Sequence, residues 1–532
     1  MFDILIKNGT VFDGSGKNNG IRTDIAVTGG QILAVKDSLA GAAREIINAE
    51  GLYVTPGFVD IQNHSDSHGK ILSEPDLESL VAQGITTIAI GQCGGSLAPL
   101  PKPDALKSLQ KWGEISGLNA DWQTFAEFKA RLSERLFGTN VISFVGHGNL
   151  RRLFTGDSAR ILSSLEIKQM AKLLEAALVE GGCGLSFGFQ YAHEIKSTPE
   201  EILAMLAVLK DHGKIFSLHL RSYDTHFYDS TLEVVELAKT VGVKTKISHF
   251  KVEGQNNFPQ LARALAVLEQ NYQAGLPIRF DVYPYTTTWR PLYTYLPSWA
   301  YEGGYKPMLS RLHDKQLHQK LIQELSERRQ TLAGLLVTAS PRVSGFTGKT
   351  VGHIARSQNC QPEQALLNII SANAGQTTVF DHDVDPAEVT ILLKHPLSLV
   401  ASDGVGSALK AQLGADLPHP RCFGAMPRFL RLLREERQDG GLLRPPLLSW
   451  SEGIAKITGY PALFLGLSDR GLLKKGLKAD IVVFDPSTVS DQATYANPFQ
   501  APVGIKYVIN NGKISLYNGQ LTGVLGGKLL TT

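Results

Sequence analysis

Eight short apolar runs alternate with amphipathic stretches through the middle of this chain, and that alternation constrains its fold more than any other feature. The runs are Phe58–Ile61, Thr86–Gly91, Val141–Val145, Gly184–Phe187, Ile215–His219, Thr245–His249, Ile278–Val282 and Leu397–Ser402. Runs of this length suit strands buried on both faces of a parallel sheet, and the segments between them suit crossover helices. In one such segment Ser164 reads as an N-cap, Ile167, Met170, Leu173, Leu174, Ala177 and Leu178 form an apolar stripe, and Gly181-Gly182 ends it. Eight βα units predict an α/β fold, a (β/α)8 TIM-like barrel.

Both ends have a different character. Ile4–Ile6, Gly9–Phe12, Ile25–Val27, Gly30–Val35 and Leu52–Val54 read as short strands, as do Ala479–Phe484, Ile505–Ile509 and Lys513–Tyr517 beyond the last run. This predicts one small β-sandwich built from residues 1–56 and 475–532, flanking a barrel over 57–474. The interval from Tyr283 to His395 is too long for an ordinary crossover. It predicts an inserted lid around 286–350, between strands seven and eight, with Leu335–Thr338 as a strand of the insert.

Composition excludes several classes of function. With 53 basic and 50 acidic residues in 532, nothing favours a polyanion such as nucleic acid. Four dispersed cysteines argue against a disulfide framework. Asp3 and Lys7 interrupt the apolar core a secretory signal needs, and no stretch is apolar enough to cross a membrane. A cytoplasmic chain without a membrane partner is the expectation; the sequence does not specify its oligomeric state.

In such a barrel the residues at strand C-termini face the active site. Here they include His64 after strand one, Cys93 after strand two, His219 ending strand five, His249 ending strand six and Asp403 after strand eight. One thiolate and two imidazoles form an accepted catalytic zinc set that leaves a position for water. Cys93, His219 and His249 supply it, and the two histidines lie 30 residues apart, the length of one βα repeat. Singly, a strand-end histidine is usually structural and a lone cysteine usually a small buried hydrophobe. A Cys93 nucleophile with a histidine base is the competing chemistry, but two histidines and a terminal aspartate suit metal hydrolysis better. Asp403 is placed to take a proton from an attacking water and return it to the leaving nitrogen, the alternative being a plain Asp-Gly turn.

The same residues carry a family resemblance. Pro56-Gly-Phe-Val-Asp60 leading to a strand-one histidine is similar to the amidohydrolase superfamily. Gln83-Gly-Ile-Thr-Thr87, Gly91-Gln-Cys-Gly94, Val145-Gly-His-Gly-Asn-Leu-Arg151, His219-Leu-Arg221, Ile247-Ser-His-Phe-Lys251, Asp281-Val-Tyr-Pro-Tyr285 and His419-Pro-Arg421 resemble the D-aminoacylase (N-acyl-D-amino-acid deacylase) family. The resemblance implies a barrel with a composite β-sandwich, and deacylation of small N-acyl-D-amino acids. It implies zinc on Cys93, His219 and His249, with the cysteine where other amidohydrolases use a carboxylated lysine. It further implies Asp403 as general acid/base and Tyr191 and Lys251 as holders of the substrate carboxylate.

One departure is informative. The family's His-x-His reads Gln62-Asn63-His64 here, so half of a second metal site is missing. An amide is a poor zinc donor, which favours one tight zinc and leaves His64 a weak ligand or a hydrogen-bond partner. Arg290 lies just past strand seven, where it could recognise an acidic substrate side chain, and His147 follows strand three, where it could orient substrate or water. A solvated arginine and a structural histidine are the alternatives. A cyclic-amide hydrolase and a non-catalytic scaffold are the competing overall readings.

Overall fold

The structure is a computed structural model that describes residues 1–102, 105–106, 109, 120–156, 158–327, 332–410, 416–434, 436–437 and 443–532. Residues 328–331 of the predicted insertion therefore lie outside the described residues. At its centre are parallel strands in two arcs. One runs Phe58–Asp60, Ile85–Ile90, Asn140–Ser143. The other runs Val145–Gly146, Gly184–Gly188, Ile215–His219, Lys244–Ile247, Ile278–Val282, Ser398–Val400. All six residues of Ile85–Ile90 are buried, the reason such strands read as unbroken apolar runs.

The run expected as a single strand over Val141–Val145 is divided at Phe144, and its two parts join different arcs. Asn140–Ser143 pairs with Ile85–Ile90, whereas Val145–Gly146 pairs with Gly184–Gly188. On the far side a parallel bridge between Asn63 and Gly404 links the end of the first strand to the end of the last. The helix expected from Ser164 does span Ser164–Val179, but its N-cap is Ser163. Ser163 faces Glu166 three residues on, and the two close a reciprocal capping box that Ser164 could not form.

Strands from both chain ends share one nine-stranded sheet. Its seam is the antiparallel pairing of Tyr53–Pro56 with Ile481–Phe484, and Ile4, Ile25, Val54, Ile481 and Ile509 pack together in its core. Ala43–Asn48 is a strand the sequence reading did not anticipate. Half of its residues are exposed and it pairs in parallel with Phe2–Val11, and its charged Arg44-Glu45 hides the strand pattern.

The excursion after strand seven forms a three-stranded antiparallel sheet from Thr288–Pro291, Thr378–Asp381 and Leu336–Ala339. It has its own apolar core around Leu292, Tyr301, Leu312, Leu366 and Ile370. This sheet closes only at Asp381, well past residue 350. The amphipathic helices Val351–Ser357 and Pro362–Ala372 look in sequence like ordinary crossover helices, which is why the expected insertion stopped early. Among the described residues no helix is long and apolar enough to cross a membrane.

Candidate metal centre

Three residues at the strand ends have backbones in the left-handed region that non-glycine residues rarely adopt: Cys93 at φ 54°, His249 at φ 37° and Asp403 at φ 48°. Such strain persists only where surrounding contacts enforce it, and it gathers at functional sites. Here the enforcing contacts are visible. Gly91, at φ 75°, lets the chain turn against the Phe144 carbonyl ahead of Cys93, and its N–H donates to Asp66 Oδ2 at 2.9 Å. The His249 N–H donates to Asp281 Oδ1 at 2.7 Å, and the Asp403 N–H to the Gln62 carbonyl at 2.9 Å.

These turns bring Cys93, His219 and His249 together with all three donor atoms within 4.8 Å of one another. His219 Nδ1 lies 3.0 Å from His249 Nε2, and Cys93 Sγ 3.5 Å from the same nitrogen. Tetrahedral zinc, with bonds of about 2.0 Å to nitrogen and 2.3 Å to sulfur, separates two nitrogens by about 3.3 Å and sulfur from nitrogen by about 3.5 Å. The donor set therefore fits a zinc ion. The outer nitrogen of His219, Nε2, meets Gln190 Oε1 at 2.9 Å, which turns Nδ1 inward. Burial, reinforced by the charge of Lys251, holds His249 well below the usual imidazole range, so its ring is a neutral donor.

His64 stands beside this set. Its Nε2 is 3.1 Å from Asp403 Oδ1 and 3.9 Å from Cys93 Sγ. Burial works to lower its pKa, but hydrogen bonds to Asp403 and Cys93 prevail and raise it to about 9. Among the described residues no second group of three donors converges as Cys93, His219 and His249 do. Asp403 is buried, which would raise its carboxyl, but Arg421 above all, together with His64, holds it well below the usual range. Arg421 Nη1 lies 2.8 Å from Asp403 Oδ2, and its guanidinium stacks 4.6 Å from the Tyr283 ring centre.

A cavity opens over this floor, lined by His64, Tyr191, His219, His249, Lys251, Asp403 and Arg421 among others. The Tyr191 hydroxyl is 3.5 Å from His219 Nδ1. Lys251 Nζ sits 4.2 Å above the Tyr223 ring and 3.5 Å from Glu253. Arg290 also lines the cavity, with its guanidinium engaged: Nε donates to the Tyr295 hydroxyl at 2.9 Å, Nη1 to Glu253 at 2.5 Å and Nη2 to Asp383 at 3.3 Å. His147 is elsewhere. Fully buried, it stacks on Phe187 with Nδ1 2.8 Å from Glu194 and Nε2 2.9 Å from Glu201. It does not line the cavity, and its contacts are those of the structural alternative.

Sequence reading assigned no role to Arg421, Gln190, Asp281 or Lys246. For Lys246 a signal existed: a lysine inside a strand buried on both faces needs a partner. It has one in Asp281, 2.6 Å away.

The chain resembles known proteins along nearly its whole length. The model of the amidohydrolase family matches residues 45–214 and 343–516. The chain is 29% identical to a D-aminoacylase of Alcaligenes xylosoxydans xylosoxydans, covering 99% of this chain and 97% of that one. It is 30% identical to an N-acyl-D-aspartate deacylase of the same organism, covering 98% and 93%. The solved structure of an N-acyl-D-glutamate deacylase from Bordetella bronchiseptica, complexed with zinc and a phosphonate inhibitor, superposes with a TM-score of 0.81 at 28% identity over the whole of both chains. The chain belongs to the amidohydrolase family, within its D-aminoacylase (N-acyl-D-amino-acid deacylase) group.

Proposed function

We propose that this chain is a zinc-dependent hydrolase that deacylates small N-acyl-D-amino acids to a carboxylate and a free D-amino acid. The observation that carries the reading is the convergence of Cys93, His219 and His249 beside a buried, ion-paired Asp403 at the floor of a cavity. The names of the relatives support the D configuration and the linear amide. Such convergence is not what a non-catalytic scaffold would need to retain.

Bound zinc supplies Lewis-acid polarisation of the acyl carbonyl and a more acidic water. Cys93, His219 and His249 would hold one tight ion, with His64 at its flank. Asp403, kept ionised by Arg421, accepts the proton of the attacking water and delivers it to the departing nitrogen. Lys251 and Tyr191 take the substrate carboxylate by charge-assisted hydrogen bonds from the cavity wall. In this reading Arg290 braces that wall, since an acidic substrate side chain would have to displace Glu253 and Asp383 from it.

The strand pairings support a closed (β/α)8 barrel over 57–474. The shared sheet supports a composite β domain from 1–56 and 475–532, and the antiparallel sheet supports a lid running from about 286 to 381. A panel of N-acetyl-D- and N-acetyl-L-amino acids, assayed for free amine with and without chelator, tests the function. Hydrolysis of D substrates that chelator abolishes is expected; equal turnover of L substrates, or indifference to chelator, would reject it.

A further inference from the structure

We propose that Lys246 is a positioning residue that acts as a built-in second cation: it fixes the Gln62 amide beneath the donor cluster and limits the centre to one metal. This rests on the metal-centre reading above.

Lys246 lies within the strand Lys244–Ile247, and its side chain is wholly buried beneath the donor cluster. Its ammonium donates to Gln62 Oε1 at 2.6 Å, Asp281 Oδ2 at 2.6 Å and Ser248 Oγ at 3.3 Å. Three acceptors satisfy its three N–H bonds. The contact settles how the Gln62 amide is turned. An ammonium accepts nothing, so reversing the amide would set NH2 against NH3+. Ser248 Oγ, 3.1 Å from the same Oε1, donates to it as well.

With Oε1 held, Gln62 Nε2 points at the site, 3.3 Å from Cys93 Sγ and 3.4 Å from His64 Nε2. An N–H directed at sulfur presents no lone pair to a metal. The ammonium behind it polarises the amide and strengthens that donor. Buried and held to Gln62 and Asp281, it also disfavours a second divalent cation on this flank. Lys246 reaches a second ligand too: Asp281, its ion-pair partner, accepts through its other oxygen from the His249 N–H and so braces the left-handed turn there. One buried ammonium thus touches the supports of two of the three donors.

Metal content per chain, measured by elemental analysis after equilibration with micromolar zinc, tests this without reference to turnover. The native chain and Gln62→His should each retain one zinc. Adding Lys246→Met and Asp281→Asn to Gln62→His removes the ammonium without stranding its carboxylate, and this triple variant should retain two. Two zinc ions on the native chain, two on Gln62→His, or only one on a folded triple variant would overturn the role of Lys246. If the Lys246 variants fail to fold, the native chain and Gln62→His decide alone: one zinc on both supports the proposal, and two on either overturns it. A native chain that retains no zinc would overturn the metal centre itself, a different outcome from retaining two.

Discussion

Arg421 Nη1 and Asp403 Oδ2 stand 2.8 Å apart with both side chains buried. Removing one partner of such a pair leaves a charge stranded in the interior, a loss of about 3–5 kcal/mol. Arg421→Met should therefore lower the melting temperature markedly and depress kcat of the folded fraction, since Asp403 then loses the cation that keeps it ionised. A variant melting with the native chain would show that the pair supports neither.

Asp403→Asn keeps the shape of the side chain and removes the base. Turnover should fall by about 10²–10⁴-fold, the usual worth of a positioned acid/base group, while zinc content stays at the native level. Parallel elemental analysis and amine release check both halves. Native turnover would remove Asp403 from the chemistry.

Gly91→Ala tests the turn that presents Cys93. A Cβ there would lie 2.3 Å from the Phe144 carbonyl oxygen on a backbone at φ 75°. The loss of stability should exceed the ~1–2 kcal/mol of left-handed strain alone, and zinc retention should fall with it. A chemical-denaturation midpoint unchanged from native would contradict this.

Glu388, which is none of the three donors, supplies a pH dependence of its own. Buried, it accepts from the Val252 N–H, and burial pushes its carboxyl from near 4.5 up to about 8. The folded chain therefore keeps this proton where the unfolded chain releases it. Its contribution is fully present below about pH 4.5 and is lost as pH rises through about 8, amounting to at most about 5 kcal/mol. Across about pH 5 to 9, the native melting temperature should fall more steeply than that of Glu388→Gln. Identical slopes would rule this out.

Much of the central scaffold was legible because burial on both faces writes a parallel strand as an unbroken apolar run. The Ile215–His219 and Ile278–Val282 strands fall on the predicted residues. The donors were legible because strand ends are where such a scaffold displays chemistry. Direction was not: His147 follows its strand just as His249 does, yet a helix starting at His147 carries the ring inward between two glutamates. Long-range pairing was hidden too, since nothing local links Arg421 to Asp403 or Lys246 to Gln62. The extent of the insertion was missed because its later helices carry the same amphipathic pattern as crossovers.

The central claim is one functional metal on Cys93, His219 and His249. Zinc titrated into chelator-stripped protein, while free amine is followed from an N-acetyl-D-amino acid, tests it most directly. Activity should be absent at the start, rise in proportion to added zinc and level off at one equivalent per chain, with the N-acetyl-L isomer untouched. Native turnover by the stripped protein, or a plateau reached only at two equivalents, would contradict the account.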